Sequence, residues 1–202
     1  STSCADLTEN LTGQPTVDKF FQTLTDFNSY ITGAYTPLIL LYGTDMPYAA
    51  SAGAEDVNTP VIRWKGFEQV NINTVGNPDE VTDELWNSYY TSISACNTLI
   101  KIIGENTKLS PDELSPIGGE AHFLRWFGEV PLLTEENQDN AAKEPQASVA
   151  RIYEQIVSDL KNAELTLPLS QDDPGRPSRW AAKALLAKVY LTMAGFPLNE
   201  TS

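Results

Sequence analysis

Apolar residues recur at three- and four-residue steps in five stretches of the chain, and that spacing predicts five amphipathic helices. From Thr16, the run TVDKFFQTLTDFNSYITG sets Val17, Phe20, Phe21, Leu24, Phe27 and Ile31 on one side, with Thr16 at the cap and Gly33 at the far end. A second helix follows Thr82, where TDELWNSYYTSISACNTLIKII places Leu85, Trp86, Tyr89, Tyr90, Ile93, Cys96, Asn97, Leu99 and Ile100 on a wide face. Asp83 and Glu84 suit its first turn and Lys101 its last. A shorter helix follows Ser110-Pro111 and reaches Phe123 and Leu124; Pro116, Gly118 and Gly119 weaken its middle and allow a start as late as Gly118. The fourth, SVARIYEQIVSDLKNAELTLP, is capped by Ser148 and ended by Pro168. The fifth, RWAAKALLAKVYLTMA, follows Ser178 and closes at Gly195 with Pro197 beyond.

Between the first two helices, residues 36–81 carry Pro37, Pro47, Pro60 and Pro78 with Gly43, Gly53, Gly66 and Gly76, so the segment reads as one long irregular loop. An aromatic-bearing helix, a turn and a small-residue helix recur at about the 34-residue spacing of tetratricopeptide repeats. Ala181, Ala182, Ala184 and Ala187 leave room for close helix approach in the last helix. An ordinary antiparallel helix pair has the same periodicity. The expected fold is all-α, in tetratricopeptide-like helical pairs with long irregular loops.

Composition narrows the function. The 202 residues are 41% hydrophobic and 20% charged, the range of globular chains. With 13 Lys+Arg against 27 Asp+Glu, the net charge is −14, which repels phosphate backbones and argues against nucleic acid as a partner. No apolar run approaches the roughly 20 residues that span a bilayer. Cys4 and Cys96 are too few for a disulfide framework or a thiolate zinc site, and Cys96, inside a helix, reads as a small core residue. His122 is the single histidine, so no imidazole pair or HExxH zinc site can form, and inside a helix beside Phe123 a structural role is expected of it. The acidic pairs Glu55-Asp56, Asp79-Glu80, Glu135-Glu136 and Asp172-Asp173 lie in loops, where they read as solvated surface. No catalytic residue, metal ligand or cofactor motif emerges.

The loop offers a different chemistry. Tyr42, Tyr48, Trp64 and Phe67 stand among Arg63, Asn71, Asn73 and Asn77. Aromatic faces stack on the C–H faces of sugar rings, while amides and guanidinium groups hydrogen-bond hydroxyls. This mixture suits a neutral polar ligand, although Trp64 anchoring the loop onto the helices would look the same.

The ordered motifs of the chain resemble those of the SusD/RagB family of nutrient-binding outer-membrane lipoproteins from Bacteroidetes. LWNSYYTSISACNTLI is similar to the family's W-x-x-x-Y-x-x-I-x-x-x-N-x-L-I helix, with Trp86, Tyr90, Ile93 and Asn97 in place. Gly119-Glu120-Ala121 with Phe123-Leu124-Arg125 resembles G-E-A-x-F-L-R, and Phe127 to Leu132 resembles F-G-x-V-P-L. Gly175-Arg176 followed by Ala181 to Leu191 agrees as well, as does Cys4-Ala5-Asp6-Leu7 near the start.

The resemblance implies a tetratricopeptide-like scaffold and no catalysis. Cys4 becomes the lipidated cysteine, the only tie to the membrane, holding a surface-exposed protein on the outer membrane. The implied ligand is a glycan or oligosaccharide, and the implied partner a SusC-like TonB-dependent transporter. Trp64 is expected to stack on sugar, with Arg63 and Tyr48 as hydrogen-bonding neighbours. A helical protein-interaction scaffold without saccharide binding is the alternative. Family members are more than twice as long, so residues 1–202 read as an N-terminal portion, with 1–15 as anchor linker, 36–81 as loop and 82–194 as helical pairs. In the family an aromatic-rich helix separates F-L-R from F-G-x-V-P-L, so about ten residues are expected to be missing between Arg125 and Trp126.

Overall fold

The computed structural model describes residues 17–45, 78–125 and 147–195, and every regular element among them is helical. In chain order these are α1 (Val17–Phe20), α2 (Leu24–Leu40), a π-helical turn (Leu41–Asp45), α3 (Pro78–Glu105), α4 (Pro111–Arg125), α5 (Val149–Thr166) and α6 (Arg179–Met193). Each of α2 to α6 packs against its neighbour in sequence, and α2 also reaches α4. A helix that touches both the next helix and the next but one is the stacking pattern of tetratricopeptide-like pairs, as the sequence leads one to expect.

Local chemistry sets the element ends, and several differ from the sequence reading. The first helix is broken. Thr23 is a cap: its N–H donates to Asp26 Oδ2 at 2.7 Å, and Asp26 N–H donates back to Thr23 Oγ1 at 3.4 Å. This reciprocal box starts a new helix at Leu24. Gly33 does not end it, because Phe27, Ile31, Ala34, Leu38 and Leu41 continue one buried stripe past the glycine. The helix runs through Pro37 at the loss of one backbone hydrogen bond and exits through the π-helical turn. The loop expected over 36–81 is therefore helical from 36 to 45, and again from Pro78, where α3 begins four residues before Thr82.

α3 runs on to Glu105, which leaves Lys101 outside the last turn. Ser110 and Glu113 form a second box, with Ser110 N–H on Glu113 Oε2 at 3.0 Å, and with Pro111 in the first turn this fixes the start of α4 well before Gly118. Ser148 caps α5 as expected, its Oγ accepting from Arg151 N–H at 3.3 Å. Ser178 makes no side-chain cap; the Pro168 carbonyl instead accepts Arg179 N–H at 2.8 Å.

The main core fills the space between α2, α3 and α4. Phe21, Phe27, Ile31, Leu41, Cys96, Leu99, Leu114, Ile117, Ala121 and Leu124 are all buried there. Cys96 is fully enclosed, and burial raises its thiol pKa to about 12, so it is the inert core residue foreseen. Two smaller clusters, Leu160 with Leu186 and Val189, and Ala163 with Leu167 and Ala182, join α5 to α6. Phe123 packs against all three clusters, so one ring on α4 links the two parts of the stack.

Candidate functional site

Among the described residues, buried charge sits on α4 and what faces it. Arg125, at the end of α4, forks onto Asp159 of α5, Nε to Oδ2 at 2.9 Å and Nη2 to Oδ1 at 2.6 Å. Its Nη1 donates to Asn97 Oδ1 on α3 at 3.0 Å. His122 Nδ1 donates to Asp159 Oδ1 at 2.9 Å, and Gln155 Nε2 to the same oxygen at 3.1 Å. Burial alone would push the Asp159 carboxyl up, but hydrogen bonds from His122 and Arg125 and the Arg125 charge outweigh it and hold the group below its ordinary value. His122 thus has the structural role expected of it.

A second node lies on the opposite flank of α4. Glu120 accepts Tyr35 Oη–H from α2 at 3.0 Å, Arg176 Nη1 at 3.2 Å and Gln171 Nε2 at 3.4 Å. Arg176 also reaches Asn28 and Thr32 of α2 at 3.2 and 3.0 Å, so the α5–α6 linker is strapped to two helices by one guanidinium. Here burial dominates: the Glu120 carboxyl is raised, with Arg176 and Tyr35 opposing only in part. Gly119 completes the fit. A Cβ there would come within 3.2 Å of the Leu167 backbone nitrogen and 3.1 Å of its Cγ, and would collide with Thr166 Oγ1. The chemistry of both nodes is to join helices.

The surface chemistry lies at the head of α3. Trp86 and Tyr90, one helical turn apart, hold their rings 4.9 Å apart at 37°. Trp86 is 44% exposed, and neither ring belongs to the main core, whereas the adjacent Leu85 and Tyr89 pack against it. The wide buried face expected of this helix is thus narrower, and the Trp86–Tyr90 ridge stands outside it. Tyr42, 45% exposed in the π-helical turn, hydrogen-bonds Tyr89, and burial raises both phenols above their ordinary value. The chain leaves the described bundle at Asp45 and re-enters at Pro78, so segment 46–77 is tethered at both ends to elements of this aromatic cluster.

Of the residues singled out in the sequence, Tyr42 alone among the loop aromatics is described. Tyr48, Arg63 and Trp64 lie outside the described residues, as do Cys4 and the Arg125–Trp126 junction beyond Arg125. In the sequence Glu120, Arg125 and Arg176 stand out only as motif positions, and Asp159 only as part of the fourth helix. One signal was available: Asp159 falls in the apolar stripe Ile152, Ile156, Ala163, and Arg125 in the stripe Leu114, Ile117, Ala121, where a charge predicts a buried partner. Among the described residues no three His, Cys, Asp or Glu side chains gather as a metal site, and no helix is long and apolar enough to cross a membrane.

Comparison with known proteins follows the same lines. The pattern of a SusD-like family described as "starch-binding associating with outer membrane" matches residues 11–191. SusD-like protein P2 of Formosa agariphila is 28% identical over 96% of this chain, and the chain spans 41% of that relative's length. A SusD superfamily protein from Bacteroides vulgatus superposes with a TM-score of 0.72 at 27% identity, covering 85% of this chain and 40% of that one. A laminarin-binding SusD-like protein superposes at 0.68 with 25% identity, covering 84% and 40% of the two chains. Motif order, helix stacking and the family match over 11–191 agree, and the chain belongs to the SusD-like family.

Proposed function

We propose that the protein captures glycans at the cell surface and passes them to an outer-membrane transporter, without catalysis. The observation that carries this reading is the half-exposed aromatic cluster of Trp86, Tyr90 and Tyr42, on the two elements between which Tyr48, Arg63 and Trp64 fall in sequence. Family membership and the laminarin-binding structural relative support it. In this reading Trp64 stacks on a sugar ring and Arg63 and Tyr48 hydrogen-bond its hydroxyls. Cys4 carries the lipid that tethers the protein to the outer membrane, and a SusC-like TonB-dependent transporter receives the cargo. Both buried carboxylates serve helix packing, which fits a binding role.

Affinity electrophoresis of the full-length protein through gels containing laminarin, soluble starch or xyloglucan tests the capture step. Retardation in at least one gel, lost in Trp64→Ala and without release of reducing sugar, is the expected result. Free migration in every gel would sink the reading. For the partner, co-purification from detergent-solubilised outer membranes with a TonB-dependent transporter is expected. One observation favours the scaffold alternative: Trp180, Ala184, Ala187 and Leu191 form an exposed stripe along α6, with Leu191 76% exposed. The same gels separate the two, because a pure scaffold retards in none.

A further inference from the structure

We infer that the outer face of α6 is a docking seam for one further amphipathic helix of the same full-length polypeptide, a helix that carries carboxylates beside its apolar stripe. By helical geometry Trp180, Ala184, Ala187 and Leu191 lie on one side of α6, and all four are exposed, Trp180 by 60%. The order large, small, small, large leaves a trough over the two alanines. A neighbouring helix can seat a large apolar side chain there and approach closely. α3, α4 and α5 each lie between two helices, whereas α6 packs mainly on α5. A helix that closes a stack turns a polar face outward, and α6 turns this stripe outward instead.

Charge narrows the occupant. Arg179, Lys183 and Lys188 are the charged side chains of α6, which has no Asp or Glu, on a chain of net charge −14. Lys183 is held on the α5 side by Glu164 at 3.4 Å and lies over the Trp180 ring at 5.3 Å; Lys188, also exposed, stands on the other flank of the stripe. A carboxylate arriving beside Lys188 completes the seam. A second copy of α6 could set Trp180 against Leu191 in antiparallel register, but it would bring the same lysines and no carboxylate. The remaining length of the same protein is the nearer source, because this chain spans only 41% and 40% of the Formosa relative and the Bacteroides vulgatus structure. Covered in this way, α6 is not free for a separate partner.

Hydroxyl-radical footprinting of the isolated, unaltered full-length protein provides the test, with light scattering to fix its mass. In a monomer, Trp180 and Leu191 are expected to oxidise at least about tenfold more slowly than in a peptide of residues 179–193. Oxidation at the peptide rate overturns the inference and leaves the face to a separate protein. Protection in a dimer that Leu191→Ser splits into monomers with an oxidisable Trp180 also overturns it, in favour of a second copy. Lys188→Glu sets like charges together in the seam and should lower the urea midpoint of the full-length protein by about 0.5 M. An unchanged midpoint in that variant overturns the acidic character of the docked helix.

Discussion

The α2–α4 layer and the α5–α6 pair bury their apolar faces by different means. In the first, Phe21, Phe27, Ile31 and Leu99 fill the space between three helices, and the aromatic rings of Phe20, Phe21, Phe27 and Tyr30 lean on one another at 4.9–6.2 Å. In the second, small residues such as Ala163 and Ala182 let two helices close up, and only a few large side chains are enclosed. The pair is joined to the layer by Phe123, by the Arg125–Asp159 fork and by the Arg176 strap. A thin core next to a thick one is stable when polar contacts carry part of the union, and here α4 holds both keys. The G-E-A-x-F-L-R motif is the face of that helix: Gly119 for close approach, Glu120 and Arg125 for the two nodes, Ala121 and Leu124 for the core, Phe123 for the bridge.

Breaking the stronger key separates the regions most. Asp159→Ala leaves Arg125 buried without its carboxylate and should cost about 3–5 kcal/mol of unfolding free energy in urea. Hydrogen exchange should then rise over α5 and α6 before it rises in α2 to α4. If both regions lose protection together, the two-part description is wrong. Gly119→Ala forces a Cβ against the Leu167 backbone, which cannot swing aside, and is expected to cost about 1–3 kcal/mol by the same measurement.

The two buried carboxylates should respond to pH with opposite sign. Asp159 is lowered in the fold, so its contribution is complete above its ordinary value of 3.8 and disappears as pH falls through the lowered folded value. Glu120 is raised, so the folded protein holds its proton more tightly than the unfolded chain does. Its stabilising effect is full below 4.5 and is lost as pH rises through the window just above that value. Urea titrations across pH 3 to 7 should therefore show a flatter profile above 4.5 for Glu120→Gln, and a flatter acid limb for Asp159→Asn. The smallest effect belongs to Gly33→Ala. Its Cβ would meet nothing within 4 Å inside α2, so a gain of about 0.5–1 kcal/mol is expected where Gly119→Ala loses stability.

Helix existence was legible because the apolar steps are strong: Ile152, Ile156, Leu160 and Ala163 face inward much as their spacing says. Helix ends were not, where local signals competed. Thr23 and Asp26 formed a box inside a continuous apolar pattern, and Gly33 and Pro37 read as breakers although Ala34, Leu38 and Leu41 had core positions to fill. Tertiary burial overrode propensity there. Of the candidate site, Tyr42 was singled out for its aromatic character, whereas Trp86 was assigned to a buried face, since periodicity cannot tell a core edge from an open ridge. Asp159 and Glu120 could be suspected as charges at stripe positions, but their partners come from helices and a linker far away in sequence.

The sealed thiol of Cys96 gives the protein an internal clock. With its sulfur enclosed and its pKa raised to about 12, it reacts with a thiol-directed dye only when α2, α3 and α4 part. Its labelling rate is thus a direct reading of how often the thick core opens, and any glycan that clamps the head of α3 against its neighbours would slow that reaction in proportion to how much it tightens them.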